Sequence, residues 1–167
     1  MNMTPGLRKF ALTTHIATSV GWLGAVAAFL ALAVAGMTST AVQTARGVYL
    51  AMELIGWYVI VPMCLASLVT GLIQALGTKW GLLRHYWVSV KFLITVFSAI
   101  ILFVFTKTLG SLAALANDPN VSVESLRNPS PIVHSGLALL VLLVTTVLSV
   151  FKPWGKIQFG RRKQFEQ

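Results

Sequence analysis

Five ionisable side chains stand in or beside long apolar runs: His15, His85, His134, Lys91 and Glu53. A Lys, Arg or Asp at mid-bilayer costs about 2.5–3.5 kcal/mol, which makes such groups functional candidates by default. Imidazoles ligate haem iron and transition metals. His15 lies six residues past Lys9, so at a ~1.5 Å rise it sits roughly 9 Å deeper along a helix. Lys91 lies six residues past His85 in "WGLLRHYWVSVKFLIT", and the same step brings it near the depth of His15. His15 shares a helical face with Ser19 and Trp22, at i+4 and i+7. These spacings suggest a haem b site. His15 and His85 would be its axial and metal ligands, Lys91 and Arg84 the counter-ions of the propionates, and Trp22 a wall against the macrocycle. Each residue also has a plainer role. His15 can be an interior imidazole held by a hydroxyl or carbonyl oxygen. Lys91 can snorkel to the interface. His85 can belong to the aromatic belt of Trp80, Tyr86 and Trp87. His134 and Glu53 fall at similar depth on the other side, as a hydrogen-bonded pair or two solvated residues or, less favoured, an outer metal or proton site.

The elements that must position these residues follow from hydropathy. Of 167 residues, 56% are hydrophobic and 10% charged, with a mean hydropathy of +0.80. Four apolar runs, roughly 10–36, 48–76, 86–109 and 132–151, each approach or exceed the ~20 residues that cross a bilayer as helix. They are far longer than strands, so the expected class is all-α membrane: a four-transmembrane-helix up-down bundle forming a single membrane domain over 1–167. The first run, with Arg8-Lys9 before it and Ala33-Val34-Ala35 near its end, has the outline of a signal peptide. It is about twice the usual h-region length and reads as a membrane helix. Pro62 should kink the second helix. Ser39 or Thr40 should cap that helix, and Ser130-Pro131 should open the fourth. Ala17, Gly21 and Ala25, and Ser67, Gly71 and Ala75, form small-residue ridges suited to helix contact.

Charge supplies an orientation. Arg8, Lys9, Lys79, Arg84, Lys152, Lys156, Arg161, Arg162 and Lys163 oppose Glu166 on one side, a net of +8. Arg46, Lys107 and Arg127 balance Glu53, Asp118 and Glu124 on the other. The positive-inside bias puts both termini in the cytoplasm, with the basic tail 152–167 lying on anionic lipid. The basicity therefore reflects membrane topology, and no nucleic-acid partner is expected. A single cysteine, Cys64, excludes an internal disulfide. No nucleophile, base and orienter come together for hydrolysis.

The stretches "GWLGAVAAFLALAV", "AMELIGWYVIVP", "GTKWGLLRHYWVSVKFLIT" and "SVFKPWG" together resemble a group of small bacterial four-helix membrane proteins to which no activity is assigned. The resemblance implies four spans in the inner membrane. His15-x6-Trp22-x-Gly24 is similar to the first helix of the copper-resistance D-type membrane family. Small four-helix cytochrome b proteins, some quinone-linked, share the architecture; those with two haems need four axial ligands, and this chain has three histidines. Three functions follow as expectations. The first is a haem b protein passing electrons, with a quinone or another redox partner. The second is a homo-oligomeric transporter or channel for a metal ion or small solute. The third is an accessory structural subunit.

Overall fold

In the computed structural model, which describes residues 3–77, 82 and 85–153, four helices are long and apolar enough to cross a membrane. Helix α1 spans Pro5–Thr38. Helix α2 spans Val42–Gly77 and contains a π-helical turn at Gly56–Ile60. Helix α3 spans Tyr86–Ala116 and α4 spans Ser130–Phe151. A single turn at Val123–Leu126 precedes α4. The described residues form one helical bundle, and Arg84 and the tail beyond residue 153 lie outside them.

The helices overrun the apolar stretches that announce them. Thr4 caps α1, its Oγ1 accepting from the Leu7 N–H at 3.4 Å, with Pro5 at the first position. Hydropathy registers only the ~30 Å hydrocarbon core, whereas the 34 residues of α1 run about 51 Å at ~1.5 Å each. Neither Ser39 nor Thr40 caps α2. Ser39 instead closes α1, its N–H bonding the Ala35 carbonyl, and Ala41 precedes α2 without a side-chain cap. Ser130 is the first residue of α4 and Pro129 stands at the cap.

Side-chain pairings show the up-down order. Ala11, His15 and Ser19 on α1 meet Gln74, Thr70 and Ser67 on α2, in opposite chain directions. Lys91 and Phe105 on α3 meet Ser149 and His134 on α4, again antiparallel. Each helix packs against its sequence neighbours and α4 returns to α1, which leaves α1 and α3 diagonal. The core is a column of Trp22, Val26, Phe29 and Ala33 from α1 against Tyr49, Met52, Ile60 and Cys64 from α2, with Phe105, Leu109 and Leu112 from α3 and Leu142 from α4.

The outer surface is apolar. Leu93, Phe97, Ile100 and Val104 form a stripe along α3, each more than half exposed. A stripe at i, i+4, i+7 and i+11 is one helix face, and a face of this kind requires lipid rather than water. The buried hydroxyls of Thr106, Ser135 and Thr145 return their protons to carbonyls of their own helices, which satisfies them inside a hydrocarbon phase.

Pro62 has no N–H, and its ring disfavours the ordinary carbonyl position a turn earlier. The chain answers with the π turn, in which the Val61 N–H bonds the Gly56 carbonyl. The extra residue keeps Met52, Gly56, Ile60 and Cys64 buried at successive steps of four. A regular α-helix would drift about 40° at each such step. The expected interruption at Pro62 is thus a widened turn whose extra residue holds the buried stripe to the core.

Candidate functional site: a polar seam and a lateral cavity

The half of the bundle nearer the two chain termini carries several of the polar groups that the sequence singled out. His15 Nδ1 lies 3.0 Å from Thr70 Oγ1, and Thr70 donates its own hydrogen to the Ala66 carbonyl at 2.6 Å. Thr70 therefore accepts from His15, and the network assigns the hydrogen to Nδ1, leaving the lone pair on Nε2. The imidazole fills the notch above Gly71; a Cβ built there would meet His15 Cε1 at 3.1 Å. One turn away, Ser19 Oγ and Ser67 Oγ are 2.8 Å apart. The ridge of Ser67 and Gly71 is a contact surface, as expected, but it receives His15 and Ser19. Ala17, from the facing ridge, is exposed.

Lys91 does not simply snorkel. Its Nζ donates to Ser149 Oγ of α4 at 2.6 Å, and it lies within electrostatic range of His15. His85 precedes the first turn of α3, with the Val88 and Ser89 N–H groups on its carbonyl. Arg84 lies outside the described residues.

At the other end, His134 occupies the first turn of α4. Its Nδ1 lies 2.9 Å from the Ser130 carbonyl, so Nδ1 carries the hydrogen and Nε2 the lone pair. Its ring stacks on Phe105, centroids 4.2 Å and 14° apart. Glu53 turns towards Gly110, where a built Cβ would stand 3.7 Å from its Oε1.

Beside the stacked rings lies a cavity of about 260 Å³. Trp22, Val26 and Phe29 wall it from α1, Gly56 and Ile60 from the π turn, and Ser98 to Leu109 from α3. On α4 it runs from His134 to Leu142, eight residues or about 12 Å. Ile101 and Leu137 line it and are also exposed on the outer surface, so it opens sideways to lipid between α3 and α4. Its few polar lining residues are Ser98, Ser135 and His134, with the ring of Trp22 in its wall.

This geometry bears on a haem. Trp22 lines the cavity, but neither His15 nor His85 does. The volume falls below the ~300–1,000 Å³ of pockets for drug-sized molecules, and a tetrapyrrole is at least that large. Among the described residues, no three His, Cys, Asp or Glu side chains cluster to hold a metal ion. The residues present therefore do not fit a haem in this cavity.

No protein-family model, no curated protein and no solved structure matches the chain. The fold and site define a class: a multi-pass, all-helical membrane protein with a polar seam between α1 and α2 and a lateral cavity between α3 and α4.

Several residues that shape these features give no signal in the sequence. Ser149, Ser98, Ser135 and Phe105 look like ordinary membrane-helix residues, because their importance lies in which helix they face. Thr70 gives only the signal that it shares a helix face with Ser67, three residues before it.

Proposed function

We propose that this chain is a binding protein of the bacterial cytoplasmic membrane that takes a small lipid-soluble ring compound, of the quinone class, from the bilayer. The observation that carries this reading is the apolar cavity of about 260 Å³ opening between Ile101 and Leu137. Its volume exceeds the ~150 Å³ that admits benzene in an engineered protein cavity. It is smaller than a site for a drug-sized molecule. One ring or two fused rings match it. The aromatic walls of Trp22, Phe29 and Phe105 suit a flat ligand.

Both termini face the cytoplasm in this reading. Support comes from the net of +8 on the terminal side against zero on the other. In a Cys64→Ala background, an impermeant maleimide should label Asn120→Cys on intact spheroplasts and reach Lys152→Cys only after permeabilisation. The opposite pattern reverses the topology.

Binding is tested with menadione and the protein in lipid nanodiscs, by equilibrium dialysis against empty discs. Saturable binding at one site per chain, lost on Ala138→Trp, is the expected result. Menadione that merely partitions, equally in protein-bearing and empty discs, defeats the reading.

A further inference from the structure

Resting on the reading of the cavity as a ring-compound site, we infer that it selects the reduced, hydroxyl-bearing form of its ligand over the oxidised carbonyl form. The argument is an account of hydrogens. Ser98 Oγ gives its hydrogen to the Ile94 carbonyl at 2.8 Å. Ser135 Oγ gives its hydrogen to the Pro131 carbonyl at 2.6 Å. His134 commits Nδ1–H to the Ser130 carbonyl at 2.9 Å. A carbonyl oxygen only accepts, so all three side chains have spent their hydrogens within their own helices and offer lone pairs alone.

A quinone carbonyl also has only lone pairs. Placed against these groups, of which Ser135 is buried and His134 is exposed at the cavity's end, it leaves acceptors facing acceptors, and unmatched polar groups are costly wherever the ligand keeps water out. A phenolic O–H supplies what the lining lacks. The positions favour this chemistry further. His134 is held flat by Phe105 at the outer end, and Ser135 is buried beside it. The preference is therefore built into rigid helix, with each acceptor fixed by a backbone carbonyl.

The test compares duroquinol with duroquinone, two molecules of nearly equal size, in anaerobic nanodiscs. Duroquinol dimethyl ether serves as a control that lacks the hydroxyl hydrogens. Duroquinol should bind about tenfold more tightly than either of the others. His134→Phe preserves the aromatic stack and removes the Nε2 lone pair, and Ser135→Ala removes a second acceptor. Each variant should lower the preference, and the pair should bring it close to unity while the chain still binds duroquinone. Equal or tighter binding of duroquinone by the native chain overturns the inference and leaves the cavity reading standing. So does a preference unchanged in both variants. Failure of all three compounds to bind saturably defeats the cavity reading itself, and this inference with it.

Discussion

Lys91 of α3 and Ser149 of α4 are joined by a 2.6 Å hydrogen bond, and Ser149 passes its own hydrogen to the Thr145 carbonyl at 2.8 Å. Ser149 stands in the last turn of α4, where helix carbonyls carry partial negative charge. The ammonium is thus compensated by a hydroxyl and a helix terminus instead of a carboxylate. The arrangement lets a lysine rest inside the bundle with no acidic partner among the described residues.

Ser149→Ala should lower stability by about 1 kcal/mol, because an ammonium shielded from water loses an acceptor. In a Lys91→Met background the same substitution should cost less than half as much. Unfolding of the four proteins in mixed micelles closes the double-mutant cycle. Additive effects would show that the contact contributes nothing to folding.

His15 occupies space that Gly71 leaves open, and this coupling is testable separately. Gly71→Ala places a methyl 3.1 Å from His15 Cε1, so the imidazole must shift by a few tenths of an ångström. The hydrogen bond to Thr70 stretches with it. We expect a loss of about 1 kcal/mol, combining mild overpacking with a weakened interhelical bond of roughly 0.6 kcal/mol. His15→Ala should make the protein indifferent to Gly71→Ala. Thermal midpoints of the two single variants and the double variant decide it, and equal losses in both backgrounds would refute the coupling.

Much of this architecture is legible in one dimension, and the reason is physical. A run of ~20 apolar residues has few fates, so four spans follow from hydropathy alone. Depth is legible too, because rise per residue is fixed. Rotation is not legible. Whether His15 turns to Thr70 on α2 or towards His85 on α3 depends on how whole helices pack, and a few tens of degrees decides it. Ala17 shows the same limit, since it belongs to a small-residue ridge and yet faces outward. The cavity is the least legible feature. It is volume that Trp22, Phe105 and Leu142 fail to fill, and no residue type encodes a gap.

Arg46 organises the opposite end of the bundle. Its Nη2 donates to the carbonyls of Asp118 and Pro119, both at 2.7 Å, and so holds the loop between α3 and α4 against the start of α2. Asp118 further orders the loop by accepting from the Asn120 N–H at 2.9 Å. Arg46→Met should release this segment at a cost of about 2 kcal/mol in local stability, since hydrogen bonds to charged donors are among the stronger ones. Limited proteolysis should then cut between Asn117 and Ser122 at least several times faster. Cleavage at the native rate would show that the loop stays docked without the guanidinium.

The π turn makes the sharpest prediction, because it behaves as a one-residue insertion in an α-helix. Deleting Tyr58, an exposed residue within it, together with Pro62→Ala should convert Gly56–Ile60 to regular helix. The buried positions on either side, Met52 and Cys64, would keep their common face because one residue fewer restores the ordinary periodicity between them. Deleting Val69, which lies in regular helix, should instead rotate everything after it by about 100° and turn Gly71 away from His15. The first variant should therefore fold with a stability loss of about 1–2 kcal/mol, arising where Gly56 now meets Leu109 and the cavity wall closes in. The second should fail to yield a monodisperse protein in detergent. Size-exclusion profiles and thermal midpoints of the two deletions separate these outcomes. If both deletions are equally disruptive, the π turn is not a register device and its place beside the cavity needs another explanation.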